Sequence, residues 1–207
     1  MGKRTVTVGG NGRATVSPDV VQLDLRVGHD ADDVAAALAG ATEGIRKVGA
    51  VVRDRGVADA DIRTLDAGVN QRWDNTGTAV GFTAQQRLGV TVRRLEAVGE
   101  ILESAAAGGG NALLVDSGRL DVADRSDGLR EARDAAFADA RDKAQQYAGL
   151  SGAQLGAVLG VAEGGAMPLG VRQSKFMAVA MAADGGMPVE GGDLELVANV
   201  TVTRELV

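Results

Sequence analysis

The chain contains no cysteine. Disulfides, thiolate metal sites and cysteine nucleophiles are excluded together, while the redox compartment stays open. Aromatic residues make up only 2% of the 207 positions. The core must therefore be assembled from Val, Leu, Ile and Ala, which bury less area apiece than rings. Histidine occurs once and proline three times. Lys and Arg number 22 against 28 Asp and Glu, a formal charge of −6. An acidic chain poor in aromatics lacks the positive surface and the stacking platforms on which nucleic-acid binding rests, so no nucleic-acid partner is expected. No apolar run approaches the ~20 residues that cross a bilayer, and membrane association is not expected. Nor does an apolar leader follow Met1-Gly2-Lys3-Arg4. The expected location is cytoplasmic, or periplasmic or secreted if a signal peptide has been removed.

Glycine, at 30 residues, and aliphatic side chains are what the sequence has in quantity. A chain of this length buries roughly 70% of its unfolded surface, enough for one large domain or two small intertwined layers. So much glycine predicts many turns or close backbone contacts.

Thr5–Val8 and Arg13–Val16 are β-branched stretches, and Gly9-Gly10-Asn11-Gly12 between them predicts a hairpin turn. Val21, Leu23, Leu25 and Val27 alternate with polar residues, the period of a half-buried strand. A helix is predicted over 32–55, with Val34, Leu38, Ala41, Ile45, Val48 and Val52 on one face. Asp30 or Asp32 is placed to cap it and Gly56 to close it. Gly40, Gly44 and Gly49 inside it require a closely packed neighbour, either a sheet or a helix of another subunit. Leu65, Ala67 and Val69, then Val80, Phe82, Ala84, Leu88, Val90 and Val92, form two strand patterns around the turn Asp74-Asn75-Thr76-Gly77. A second helix spans 94–107 and stops at Gly108-Gly109-Gly110; a strand follows over 112–122. The third helix, 127–148, carries Ala132, Ala136, Ala140, Ala144 and Ala148 as an i+4 ridge that permits close approach to a neighbour. Strands at 155–161 and 194–203 complete the pattern. The class is α+β: a largely antiparallel sheet with three main helices packed as a layer, in a single domain over 1–207.

A glycine-rich stretch, 164–192, stands outside this regularity and reads as a long loop before the last strand. It holds the apolar run 176–183, which should not face water alone. Its cover is the domain itself, a neighbouring subunit, or else a membrane surface or another partner. Phe176, Met177, Val179, Met181 and Met187 are accordingly the candidate oligomer-interface residues. Met167, Met177, Met181 and Met187 could be read as soft copper(I) ligands. Without Cys or His nearby, methionine as filler of an adaptable interface is the reading preferred. No cofactor is expected.

Catalytic patterns find little support. His29 is placed at the strand-to-helix turn, and alone it cannot build a tetrahedral zinc site. Ser117 in Asp116-Ser117-Gly118 lacks the nucleophile-elbow pattern. Gly10-Asn11-Gly12 lacks the third glycine and the following helix of a dinucleotide loop. Carboxylates are plentiful, yet none stands out as a catalytic pair.

A set of motifs in order resembles one family. Thr5-Val6-Thr7-Val8-Gly9-Gly10-Asn11-Gly12 and Val16-Ser17-Pro18-Asp19 resemble the opening of SIMPL-domain proteins. Asp61-Ile62-Arg63-Thr64, Gly81-Phe82-Thr83-Ala84, Ala132-Arg133 with Ala140-Arg141-Asp142-Lys143-Ala144, Leu155-Gly156, and Pro188-Val189-Glu190-Gly191-Gly192 follow in sequence. That family includes bacterial periplasmic immunogenic proteins and proteins linked to oxidative-stress defence. The resemblance implies an α+β subunit able to form ring-, barrel- or cage-like homo-oligomers, with no catalytic residues to carry over. The function expected is non-enzymatic self-assembly, linked to stress. The alternative is a binding module for a small apolar ligand or a client peptide.

Overall fold

The computed structural model describes residues 4–164 and 192–207. They contain seven strands and three helices, and they cluster into two compact units. Residues 4–17, 122–164 and 192–207 form the first unit, and residues 18–121, inserted between its pieces, form the second.

The second unit is a four-stranded antiparallel sheet, order β3-β4-β2-β5, with two helices on one face. Its elements are β2 (Val20–Ala31), α1 (Val34–Asp54), β3 (Ile62–Trp73), β4 (Ala79–Val92), α2 (Val98–Gly109) and β5 (Leu113–Asp121). Val21, Leu23, Leu25 and Val27 are buried, as their alternation predicts. Ile45, Val48 and Val52 meet them from α1 and Ala41 packs with Ala37 and Ala84, while Val34 and Leu38, expected inward, are exposed. The cap of α1 is Asp33, whose carboxylate accepts from the Ala36 N–H at 2.9 Å. Asp30, one of the two caps expected, lies within β2 and accepts from the Thr83 hydroxyl instead. Helix-on-sheet contact explains Gly40 and Gly44, whereas a Cβ at Gly49 would meet only Arg53 of the same helix. A Cβ at Gly40 would lie 2.1 Å from the His29 ring, and one at Gly44 2.6 Å from Val27. The β3–β4 hairpin turns where expected, with Asp74 accepting from the N–H groups of Thr76 and Thr78.

The first unit is a three-stranded antiparallel sheet, order β1-β7-β6, crossed by a long helix. β1 is Thr5–Val16, α3 Ser126–Leu150, β6 Leu155–Glu163 and β7 Leu194–Leu206. Here the hairpin expected at Gly9–Gly12 is overturned. β1 runs unbroken through these glycines, paired with β7 from Thr5 to Val16. Gly10 and Gly12 occupy inward positions between Val8 and Ala14. A Cβ on either would fall about 2 Å from a backbone carbonyl of α3. The glycines are therefore a track for the helix, not a turn. The alanine ridge of α3, from Ala132 to Ala148, is fully buried, as predicted. Small residues on both surfaces bring helix and sheet close enough for backbone and methyl groups to pack directly.

Candidate functional site

Each sheet has two edges, and they are treated differently. The middle of the β1 edge is capped by its own helix. Asp139 of α3 accepts from the Asn11 N–H at 2.8 Å, and Lys143 donates to the Gly9 carbonyl at 3.1 Å. Lys143 also bridges to Asp139 at 2.7 Å and holds that carboxyl below its usual range, with help from Asn11. In the other sheet, β3 carries Arg63, Asp66 and Arg72, and β5 carries Asp116, Arg119 and Asp121. Charges on an edge discourage pairing with a further strand.

β6 has neither protection. From Leu155 to Ala162 it contains no charge and no proline. Val158, Leu159 and Val161 stand 41%, 47% and 55% exposed. The strand's one ionised group, Glu163 at its end, is held by Arg133 of α3 at 2.7 Å. Its pairing with β7 shifts register twice before Gly160 and is regular from Gly160 to Glu163. Among the described residues no strand pairs with its outer side, leaving a row of N–H and C=O groups there.

The second unit has a different feature, on the sheet face away from its helices. Register places Arg87 of β4 opposite Arg26 of β2 and Asp66 of β3. Arg87 bridges Asp24, Asp66 and Asp116, and Arg26 bridges Asp116. Hydrogen bonding to Asp24, with a further contribution from Asp66, pushes the Arg87 guanidinium pKa further upward. Interlocked pairs of this kind fix strand register. At the end of the same sheet Arg93 grips Asp61 through two 2.7 Å hydrogen bonds. Those bonds hold the Asp61 carboxyl below its usual range despite a side chain only 9% exposed.

Asp61, Ala132 and Lys143, which lie in the motifs that carry the resemblance, thus hold packing and edge contacts. The pattern of the SIMPL family, described as "Protein of unknown function (DUF541)", matches residues 6–204. The chain belongs to the SIMPL family. Two curated members are similar along nearly all of it. The 26 kDa periplasmic immunogenic proteins of Brucella melitensis biotype 1 and of Brucella abortus strain S19 are each 30% identical to it. Both alignments span 97% of this chain and 84% of the Brucella protein. The cytoplasmic expectation finds no support in these relatives, whose names say periplasmic. Among the described residues no helix is long and apolar enough to cross a membrane.

The interface residues proposed from sequence, Phe176, Met177, Val179, Met181 and Met187, lie outside the described residues, as does Met167. His29 sits within β2, its ring against α1, and not at a turn. Ser117 stands opposite Asp24, five residues along β2 from His29, roughly 17 Å at strand rise. The two are not brought together. What sequence reasoning missed is the open side of β6: its apolar composition was visible, its edge position was not.

Proposed function

We propose that this SIMPL protein is a non-enzymatic periplasmic protein that works by associating with copies of itself, through the outer edge of β6. The observation that carries the reading is the contrast between edges. β1 is capped by Asp139 and Lys143, β3 and β5 are charged, and β6 is uncharged from Leu155 to Ala162. A second copy of β6 is a fitting occupant. Two such strands pair antiparallel about a two-fold axis with no like charges opposed, since Glu163 of one copy meets the Leu155 end of the other. The paired sheet would then run through six strands. The periplasmic part of the reading rests on the names of the Brucella relatives. The apolar run 176–183 supplies a second contact under the same reading.

Light scattering on the purified chain tests it. The parent should form an oligomer, and Val161→Lys should yield a smaller species with an unchanged circular dichroism spectrum. Met177→Asp with Met181→Asp should weaken assembly separately. A parent that stays monomeric at every concentration refutes self-association. Assembly untouched by Val161→Lys refutes the role of β6.

A further inference from the structure

β2 runs from Val20 to Ala31, and β4 accompanies it to the end, with Ala31 opposite Phe82. β5 does not. Its register against β2 stops at Val27 opposite Leu113, because the chain enters β5 directly from the single helical turn Gly110–Ala112. Gly28, His29, Asp30 and Ala31 therefore have a strand on one side only. In an antiparallel ladder successive residues turn their N–H and C=O to opposite sides. Two of these four must present a backbone donor and acceptor toward the missing continuation of β5. Among the described residues no other backbone group pairs with them.

The notch so formed opens as a groove of about 460 Å³, lined by Arg26, Gly28, His29, Asp30, Asn111 and Leu114, among others. Gly28 leaves its floor bare. A Cβ there would meet nothing nearer than the Ala84 carbonyl at 3.9 Å.

We propose that this notch binds the C-terminal residues of an extended peptide, which take the place of the absent first part of β5. The length fits. Four residues of strand span about 13 Å, and strand addition to an exposed backbone is an established mode of peptide recognition. Charge sets the direction and the kind of end. A segment running in the direction of β5 brings its carboxyl terminus to the Val27–Leu113 end, where Arg26 and Asn111 stand. Its upstream residues lie beside Asp30.

The side chain of Arg26 is 34% exposed. It holds Asp116 through Nε and Nη2, while Nη1 makes only a 3.3 Å contact with Gln85. Nη1 is the donor for the incoming carboxylate. Asp30 accepts from Thr83 and faces Arg72 at 3.2 Å. Each of its oxygens keeps a second lone pair for a basic residue upstream in the peptide. A segment running the other way would set its carboxylate against Asp30. The partner is thus a protein or peptide with a free, extended C-terminus and a basic residue about three positions before its end. This site does not involve β6.

The test uses the full chain and a fluorescein-labelled peptide pool of the form Lys-X-X-X, X drawn from Val, Thr, Leu and Phe. The pool is made with free carboxylates and again with C-terminal amides. The free-acid pool should bind at least about tenfold more tightly than the amide pool. Amide hydrogen exchange should slow within 28–31 when it binds. Gly28→Asp, which the open space accommodates, should weaken binding about tenfold by like-charge repulsion, and Gly28→Asn should not. No binding by either pool, equal binding of acid and amide, or protection at Leu155–Glu163 instead would each overturn the proposal. So would a Gly28→Asp variant that binds like the parent.

Discussion

One methyl group at position 12 should damage the first unit more than its size suggests. In Gly12→Ala the new Cβ would lie 1.9 Å from the Ala132 carbonyl oxygen and 2.3 Å from the Ala136 nitrogen. Both obstructing atoms are helix backbone, which no rotamer change can move. Ordinary contact requires more than 3 Å, so α3 must withdraw from β1 by over an ångström. Such a gap forfeits a quarter to a half of the dispersion energy along the ridge, and Ala132, Ala136 and Ala140 all lie on it, fully buried. Overpacking commonly costs about 1–3 kcal/mol, and a backbone obstruction belongs at the upper end, about 3 kcal/mol. With a urea dependence of about 2 kcal/mol per molar, the unfolding midpoint should fall by about 1.5 M. Gly9→Ala is the control, since Gly9 faces outward with nothing within 4 Å. It should stay within about 0.5 kcal/mol of the parent. Equilibrium urea unfolding by circular dichroism, at one fixed protein concentration, reads both. A Gly12→Ala midpoint within about 0.25 M of the parent, or an equal loss in Gly9→Ala, would refute the idea that β1 supplies a glycine track to α3.

Two further outcomes follow from the second unit. The Asp61 carboxyl titrates lower in the fold than in the unfolded chain because Arg93 hydrogen-bonds it. Its contribution is therefore complete above about pH 4 and lost as pH falls through the lower folded value. Asp61→Asn should be less stable than the parent at pH 7 and should lose less on acidification below about pH 4. Parallel acid limbs for parent and variant would contradict this. Gly81 adopts φ +126°, and a Cβ there would sit 2.5 Å from the Ala31 carbonyl. Gly81→Ala should cost about 2 kcal/mol and speed amide exchange at Ala79–Thr83; an unchanged melting temperature would show that the turn region relaxes freely.

The periodic parts of the structure were legible from residues alone. The alternation at Val21–Val27 and the i+4 alanines of α3 can each be satisfied by only one kind of element, and both lie where expected. Gly9–Gly12 was misread because glycine has two meanings, conformational freedom and absence of bulk, and only the neighbouring helix tells them apart. The α+β class and the antiparallel pairing hold, but division into two sheets was invisible, since β1 finds its partner at the far end of the chain. The same is true of the ion-pair face. Asp24, Asp66 and Asp116 are remote in sequence and meet at Arg87 only through strand register. Edge status is likewise a property of the assembled sheet, so neither the bare side of β6 nor the notch beside β2 could be read from composition.

The pairing of β1 with β7 also constrains how the molecule comes into being. Val16 meets Leu194, and Thr5 meets Glu205, so the first strand waits for partners made roughly 180 to 200 residues later. Residues 18–121 face no such delay, because all four strands of their sheet lie within one continuous stretch. During synthesis that stretch can reach its native form while β1 is still alone, its glycines and valines lacking both α3 and β7. The interval before the last strand emerges is when β1 presents both its backbone edge and its apolar face without a partner.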